Sequence, residues 1–488
     1  MTSTAVIKIN FRGGIISPGD LFHVLVAAEK AHITKVSFGT RQQLFADVHH
    51  HYCDLFTGLL DMQRIKYEKD TEEHPNVVSS YPAEEVFITK TWLSEGVYKD
   101  IFDLMDYEPR LKVNISDSNQ SFTPVLTGNI NWVASLHSPH FWHVFIRFPK
   151  TNMVYEWKHM VYTNDIARMS RHIEEAILDD KEKFYDNPQA SGDILFDKLG
   201  LQNYITRPAG APAALPAFNL PYYEGLNRYN DKYWLGIYRR DELFDTVFLR
   251  DVCQLCLQTK IGQLCATPWK TIMVKGIDEK HRPQWNALLA RHRINVRHAA
   301  NELNFQVEDH CKEGLMLKSW LVRHLNRDDM RTFGICIGIK TRKKSEVFSS
   351  ILVRRRHLFT IAGIGFLAVY DILCAGDFNP NERTGFVFSR TTPKLLLPER
   401  LRRAIILFYQ HQGKHSTKPE PRPKEEQGTK QAEWVYQCRH CFTIYDPVAG
   451  QPGPAAPFEQ LPVDYCCPLC ESPKEDFQRI EPPQAVSA

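Results

Sequence analysis

The chain has 488 residues, a formal net charge of +3 at pH 7 and 12 cysteines. At ~100–200 residues per domain, this length predicts about three domains, and the even charge balance does not favour nucleic-acid binding. The amino terminus lacks a basic segment followed by a long apolar run. The longest weakly polar stretch, 358–370, is too short to cross ~30 Å of hydrocarbon as a helix and predicts a buried strand or helix. We therefore expect a cytoplasmic protein without membrane insertion.

The first elements alternate between strand and helix patterns. Residues 7–11 alternate like a strand, and Ser17 followed by proline predicts a capped helix start. Apolar residues then recur at helical spacing. Residues 36–38 return as a strand, and Thr40 follows at the turn.

The same order recurs about 227 residues later. A strand pattern at 233–238 precedes a helical pattern at 248–256, and Thr267 then takes the place of Thr40. This repeat predicts two similar α+β units. Each unit is expected to carry an extension of mixed strands and helices, at 111–148 and 332–372.

Two proline-rich stretches divide the chain. Residues 412–432 are rich in Pro, Lys, Glu and Gln and contain no large apolar residue, so they cannot bury enough surface to offset their ordering entropy. Residues 207–217 form a second break, a Pro/Ala loop. We therefore predict two halves of a larger body, a flexible linker and a small carboxyl-terminal domain, at 1–207, 218–411, 412–432 and 433–482.

The cysteines are unevenly distributed, since five of the 12 lie between Cys438 and Cys470. Cys438 with Cys441, and Cys467 with Cys470, form two C-x2-C pairs that 25 residues separate. Such pairs can place four thiolates in a tetrahedron around one metal, and an all-sulfur site suits zinc or iron. The spacing leaves both metals open. Cys466 directly precedes a ligand and is interpreted as a small apolar filler.

The amino-acid sequence around these pairs is more specific than their spacing. Residues 434–447 read WVYQCRHCFTIYDP, and residues 458–477 read FEQLPVDYCCPLCESPKEDF. This segment of about 45 residues resembles rubredoxin. The resemblance implies a one-electron carrier that cycles between ferric and ferrous iron. It also implies one iron ion held by Cys438, Cys441, Cys467 and Cys470.

The resemblance extends to aromatic residues and has two departures. Rubredoxins usually have glycine after the second and fourth ligands, where this chain has Phe442 and Glu471. We expect these side chains to alter the hydrogen bonding to sulfur, and so the reduction potential. Zinc ribbons lack the aromatic core that the resemblance implies, formed here by Tyr436, Tyr445, Phe458, Tyr465 and Phe477.

The larger body has a weaker resemblance. Residues 5–48 resemble the ferredoxin-like half-domain of nitrite and sulfite reductases, on Gly13-Gly14, Ser17-Pro-Gly-Asp-Leu and Thr40-Arg-Gln. Residues 231–277 resemble its second copy, with 264–277 as the terminal strand. The implied fold class is α+β, a duplicated nitrite/sulfite reductase-like body. Residues 110–150 and 295–410 would form the sirohaem and iron–sulfur domain.

The active enzymes of that family hold a [4Fe–4S] cluster with C-x5-C followed by C-x3-C, and one thiolate bridges to sirohaem iron. This pattern is missing here, because the segments that begin at Cys311 and Cys336 each contain one cysteine where the family has two. Cys253 and Cys256 are interpreted as core filler rather than as a metal pair with Cys265. The resemblance therefore implies the fold and argues against sirohaem and [4Fe–4S] cofactors.

Sirohaem is a ring with many carboxylates, so a pocket that still binds a ligand of this kind needs cationic side chains. Arg41, in Thr-Arg-Gln, is the residue that we most expect to face it. A solvated surface and a patch for an acidic partner are the alternatives. The other candidates are Arg12, Arg110, Arg147, Lys150, Arg297, Lys340, 342–344 and 354–356.

The sequence favours an electron-transfer protein over an enzyme, and no catalytic residue is assigned. The body would be a docking scaffold or would bind a ligand without reducing it. Its partners would be a redox donor and an acceptor enzyme, with nitrogen or sulfur assimilation as the first expectation. One alternative is a divergent nitrite/sulfite reductase-like enzyme fed by its own rubredoxin domain. Another is a zinc-bearing interaction module.

Overall fold

The structure, a computed structural model, divides into two compact units, residues 1–415 and 416–488. We call the first the body and the second the small domain. In its described part, the body has four sheets and the small domain has one. The described residues are 4–88, 91–213, 215–342, 347–361, 364–416, 435–440, 444–445, 458–467 and 472–480.

The first sheet of the body contains the amino-terminal strands. The helix Pro18–Lys30 begins where Ser17 caps it, with the Ser17 hydroxyl accepting a hydrogen bond from the Asp20 amide at 3.3 Å. This confirms the predicted start. In sheet order, the strands are Leu243–Asp245, Lys35–Phe38, Leu44–His49, Thr4–Ile9 and Glu68–Lys69.

The next sheet repeats this arrangement in the second half, around the helix Thr246–Gln258. Each half contributes one strand to the other half's sheet: Leu243 pairs with Ser37, and Ile15 pairs with Cys265 in the equivalent register. This exchange confirms the duplicated α+β fold. In sheet order, the strands are Gly225–Tyr229, Lys232–Ile237, Ile272–Ile277, Leu264–Ala266 and Ile15–Ile16.

The segment 264–277 is two strands, so the prediction of one terminal strand is wrong. The strands Leu264–Ala266 and Ile272–Ile277 pair antiparallel. Thr267 closes the turn, since its amide donates to the Thr271 carbonyl at 3.0 Å. Lys270 takes a positive φ of 58° in this turn, which an extended strand does not allow.

The two extensions also share a topology. Each has three parallel strands followed by an antiparallel one. In sheet order, the first consists of Thr206–Pro208, His159–Tyr162, Phe141–Arg147, Ile130–Ala134, Val113–Ser116 and Val78–Ser79, with Val154–Glu156 beside Phe141–Arg147. The second consists of Phe305–Val307, Ile337–Lys340, Ile351–Ile361, Ile364–Ala375 and Gly385–Thr392.

The apolar stretch 358–370 belongs to a β-hairpin of this second sheet. Leu358 is 50% exposed and Leu367 is 65% exposed. The expectation of a buried element is therefore wrong at these positions. The hairpin extends beyond the neighbouring strand Gly385–Thr392, whose pairing ends opposite Tyr370.

Helices cover the sheets and complete the apolar cores. The helix Leu397–Ser416 includes the first five residues of the predicted linker, and residues 417–432 lie outside the described residues. No helix in the described ranges is both long and apolar enough to span a membrane. The remaining α-helices are Cys53–Met62, Glu95–Asp103, Ile166–Asp179, Lys181–Phe184, Gly192–Leu199, Arg282–Arg291, Ala300–Leu303 and Lys312–Arg327.

Candidate functional site

The small domain is built on a three-stranded antiparallel sheet. Val435–Cys438 is the central strand, between Ile444–Tyr445 and Phe477–Ile480. Cys438 ends the central strand, opposite Phe477. The sheet therefore places the first cysteine of the first C-x2-C pair against the last aromatic residue of the motif.

Phe458 is the centre of an aromatic core beside these cysteines and is 7% exposed. Its ring stacks on Tyr436 with a centroid distance of 4.2 Å. The rings of Phe477, Tyr445 and Tyr465 lie 5.0, 5.4 and 6.2 Å from it. The structure thus brings together the five aromatic residues that the sequence singled out.

Cys438 and Cys467 are fully buried in the same core. Cys467 is held by its backbone, since its amide donates to the Ser472 carbonyl at 2.8 Å. Cys441 and Cys470 lie outside the described residues, as do Phe442 and Glu471. The structure therefore describes one cysteine from each C-x2-C pair.

Cys466 is exposed, so its interpretation as an apolar filler is wrong. Its thiol donates to the Asp464 carbonyl at 3.5 Å. Successive side chains of an extended segment point to opposite sides, so burial of Cys467 turns Cys466 outward. The two neighbouring thiols therefore have different environments.

The described residues fit a metal bound by sulfur. A thiolate buried away from water is costly unless a metal or another positive group balances its charge. Two fully buried cysteines meet in an aromatic core, each with a second cysteine three residues away in the sequence. This sulfur donor set suits iron or zinc.

We expect Phe458→Ala to unfold the small domain. Loss of a buried phenylalanine costs about 3–5 kcal/mol, which is comparable to the whole stability of a domain of this size. Val463→Ala is the control, because Val463 is 91% exposed. Near-ultraviolet circular dichroism and retained metal should distinguish the two variants. A folded, metal-loaded Phe458→Ala protein would show that the aromatic core is dispensable.

The body contains a cleft of about 1010 Å³ with a cationic lining. Of the sequence candidates, it gathers Arg41, Arg110, Arg147, Lys150, Lys340 and Arg342. Lys8, Lys112 and Arg383 also line it and were missed by the sequence reasoning, because they carry no local motif. The carboxylates of its lining are Glu72, Glu308 and Asp309.

Arg41 is held at the cleft by neutral oxygen atoms. Its Nη2 donates to the carbonyls of Asn76 at 2.6 Å and Val113 at 3.0 Å. Arg147 is held in the same way by the carbonyls of Gly128 and Thr127, at 3.1 and 2.9 Å. Carbonyl oxygens accept hydrogen bonds from a guanidinium and so fix its orientation.

Other cationic candidates do not line the cleft. Arg12 donates to the carbonyls of Phe102 and Met105 and lies 3.3 Å from a Glu108 carboxylate oxygen. Arg354 and Arg356 both pair with the buried Asp371, and Arg297 is also absent from the lining. Residues 343–344 lie outside the described residues.

Cys311 and Cys336 lie near opposite ends of the strand Ile337–Lys340. Cys311 caps the helix Lys312–Arg327, and its Sγ lies 3.2 Å from the Thr341 hydroxyl. Cys336 precedes the strand Ile337–Lys340, five residues before Thr341, which is about 16 Å along an extended chain. Its thiol donates to the Phe348 carbonyl at 3.2 Å, and burial raises its pKa well above the ordinary value.

The other cysteine candidates of the body are also buried thiols. Burial raises the pKa of Cys253 to about 12 and that of Cys265 to about 11. Burial also raises the pKa of Cys256 well above its ordinary value. These shifts favour the protonated thiol and agree with core packing. Within the described ranges, no three His, Cys, Asp or Glu residues are arranged to hold a metal.

The sheet, the buried cysteines and the stacked rings give the small domain the features expected of a sulfur-ligated metal domain. The family model "Rubredoxin" matches residues 435–477. The probable rubredoxin HupI of Bradyrhizobium diazoefficiens is 43% identical over 49 residues, which are 9% of this chain and 71% of that relative. Rubredoxin-1 of Chlorobaculum tepidum is 40% identical over 58 residues, 11% of this chain and 81% of that relative. The chain therefore belongs to the rubredoxin family through its carboxyl-terminal segment.

A larger relative is matched only in part. The high molecular weight rubredoxin of Moorella thermoacetica is 40% identical over 81 residues, or 15% of this chain. The chain spans 35% of the length of that relative. The family assignment confirms an iron-binding electron-transport domain in the carboxyl-terminal segment.

The body matches a solved structure in fold. The structure of the Mycobacterium tuberculosis NirA protein aligns with a TM-score of 0.63 and 14% identity. The alignment covers 83% of this chain and 81% of that one. It confirms the predicted fold class of the body, which shares the fold of the NirA protein.

Proposed function

We propose that the protein is a one-electron carrier with a single iron ion held by Cys438, Cys441, Cys467 and Cys470. The burial of Cys438 and Cys467 in the aromatic core carries this proposal. When bound, the iron supplies reversible one-electron exchange between its ferric and ferrous states. The chain supplies the sulfur donors and shields them from water.

Hydrogen bonds within the small domain hold this environment in place. Lys474 donates through Nζ to the carbonyls of Leu461 at 2.7 Å and Glu459 at 3.2 Å. Tyr436 donates its hydroxyl to a Glu459 carboxylate oxygen at 2.7 Å. These bonds tie the loop before the second cysteine pair to the sheet. A rigid sulfur cage reorganises little when the charge of the metal changes, which favours fast electron exchange.

The body, in this proposal, is a docking scaffold or binds an anionic ligand without reducing it. Cys311 and Cys336 stand at opposite ends of the strand Ile337–Lys340, and this separation supports a body without a shared cluster. Glu308 accepts hydrogen bonds from the Thr341 amide and hydroxyl at 2.9 and 2.6 Å. Thr341 therefore bridges Glu308 and Cys311. Because Cys311 contacts a hydroxyl and lies far from Cys336, these residues do not fit a [4Fe–4S] cluster.

The electron donor and the acceptor enzyme are redox proteins, and nitrogen or sulfur assimilation is our first candidate process. We place the protein in the cytoplasm. We also retain the functional division into two body halves, a linker and the iron domain, at 1–207, 218–411, 412–432 and 433–482.

A visible spectrum with metal analysis tests the main proposal. The purified protein should contain one iron ion per chain, absorb as a red ferric–thiolate species and bleach on reduction. A colourless protein that contains zinc would contradict it. Zinc would instead support an interaction module without a redox role.

The cationic cleft favours a second candidate, a divergent nitrite/sulfite reductase-like enzyme fed by its own rubredoxin domain. The cleft lining, which includes Arg41 and Arg147, fits the carboxylates of a tetrapyrrole. The residues around Cys311 and Cys336 do not fit the [4Fe–4S] cluster that the enzymes of that family hold. Intense tetrapyrrole absorption bands in the purified protein, together with acid-labile sulfide, would support this candidate. Their absence alongside the iron–thiolate spectrum would reject it.

Arg41→Ala tests the cleft directly. We expect it to weaken binding of the octacarboxylate uroporphyrin by about tenfold or more, because a charged hydrogen bond contributes about 1.5–3 kcal/mol. Arg297→Ala is the matched control, since Arg297 does not line the cleft. Fluorescence titration measures both. Equal affinities for the two variants would exclude Arg41 as a ligand-binding residue.

A further inference from the structure

The turn that presents Arg41 to the cleft lies between the strands Lys35–Phe38 and Leu44–His49. Gln42 directly follows Arg41 and takes a positive φ of 62°, which is uncommon and costly for a residue other than glycine. A backbone of this kind persists only where its surroundings hold it in place. The conformation of the turn therefore depends on contacts with other parts of the body.

The Gln42 side chain supplies one set of these contacts and is fully buried. Its Nε2 donates to the carbonyls of Ser79 at 3.1 Å and Ala266 at 3.0 Å. Its Oε1 accepts a hydrogen bond from the Ser79 amide at 2.8 Å. These bonds join the turn to one strand from each half of the body, Val78–Ser79 and Leu264–Ala266.

Asn76 supplies a second set of contacts and reaches both ends of Arg41. Its side-chain Nδ2 donates to the Arg41 backbone carbonyl at 2.9 Å and to the Phe11 carbonyl at 2.7 Å. Its own backbone carbonyl accepts hydrogen bonds from the Arg41 guanidinium, from Nε at 3.1 Å and from Nη2 at 2.6 Å. Asn76 is 3% exposed, so little water competes for these bonds. One residue thus fixes the backbone and the side chain of Arg41 together.

We propose that Asn76 is a positioning residue for an anion bound in the cleft and that it acts through Arg41. This role rests on the proposed binding of an anionic ligand by the body. An unrestrained arginine side chain has many rotamers, and a bound ligand would restrict them. Because Asn76 and the turn already restrict Arg41, less conformational entropy is lost on binding. A guanidinium held in a fixed direction can also bind a carboxylate through two parallel hydrogen bonds.

A double-mutant cycle with uroporphyrin tests this role. Asn76→Ala removes the side-chain amide but keeps the backbone carbonyl, and it should weaken binding by about fivefold, the equivalent of one hydrogen bond. In the Arg41→Ala background, the same change should alter the affinity by less than about twofold. In the Arg147→Ala background it should keep its full effect, because the carbonyls of Gly128 and Thr127 hold Arg147.

Asn301→Ala is the matched control, because Asn301 is also a buried asparagine of the body and does not line the cleft. Its Nδ2 donates to the Met330 carbonyl at 2.7 Å and to the Asn326 side-chain oxygen at 2.8 Å. This variant should lose stability in urea, as Asn76→Ala should, and still bind uroporphyrin with wild-type affinity. A structural role acts in every background, so an undiminished effect of Asn76→Ala in the Arg41→Ala protein would overturn the proposal.

Arginine modification with phenylglyoxal supplies a readout that needs no ligand. Asn76→Ala should raise the rate at which Arg41 is modified, because the guanidinium is held less firmly, and should leave the rate at Arg147 unchanged. Mass spectrometry of the digested protein measures both rates in one sample. If the wild-type protein does not bind uroporphyrin but Arg41 becomes more reactive, the proposed ligand is wrong and Asn76 still positions Arg41. An unchanged rate at Arg41 would overturn the positioning role.

Discussion

Cys467→Ser is expected to abolish iron binding and the visible ferric–thiolate absorption. Cys467 is fully buried in the aromatic core, so its side chain has no access to solvent. Serine removes the soft sulfur donor and leaves a three-thiolate site that holds iron poorly. The small domain should then lose its metal-dependent stability, because binding free energy is also folding free energy in metal domains of this size.

The adjacent Cys466 is a matched control for this variant. Cys466→Ser makes the same chemical change one residue earlier, but the Cys466 thiol is exposed and points away from the core. It should keep one iron ion per chain and an unchanged spectrum. Metal analysis and visible absorption measure both variants. Iron loss in Cys466→Ser with retention in Cys467→Ser would invert the ligand assignment.

Lys270→Met is expected to destabilise the body by about 3–5 kcal/mol, which is typical when one partner of a buried ion pair is removed. The Lys270 side chain is 3% exposed, and its Nζ lies 2.6 Å from a Glu242 carboxylate oxygen and 3.4 Å from Asp309. It also donates to the Glu308 carbonyl at 3.1 Å. Methionine would leave these partly buried carboxylates without their cation.

The pH dependence of stability follows from the same group. Burial lowers the pKa of Lys270, but the charges of Glu242 and Asp309 outweigh this effect and raise it above 10.5. A raised lysine pKa stabilises the folded state below the unfolded-state pKa, and this contribution disappears as the pH rises through the folded-state pKa. Wild-type stability should therefore fall above about pH 10.5, and the Lys270→Met variant should lack this component.

Urea denaturation followed by circular dichroism measures this effect, with the iron absorption as an independent signal from the small domain. Lys183→Met is the control, because Lys183 is 61% exposed and pairs with Asp180 at the surface. Exposed ion pairs contribute little to stability. A Lys270→Met body as stable as the control would show that Glu242 and Asp309 find other partners.

Local spacing predicted the elements whose contacts are near in sequence. Ser17 followed by proline marked the start of a helix, because a cap depends on neighbouring residues alone. The two strands around Thr267 were merged into one, although Pro268 lies in the turn between them and proline is a turn signal. The exposed hairpin at Leu358 was expected to be buried, since composition does not show how far strands extend beyond their sheet.

The sequence by itself determined the iron domain, because two C-x2-C turns and their aromatic residues form a motif within about 45 residues. Only the tertiary structure decided which cations share a cleft, since Arg41 and Lys340 are 299 positions apart. It also separated Cys311 from Cys336 and turned Cys466 outward. A metal motif depends on short loops that spacing records, whereas a cleft and a side-chain direction depend on how distant strands pair.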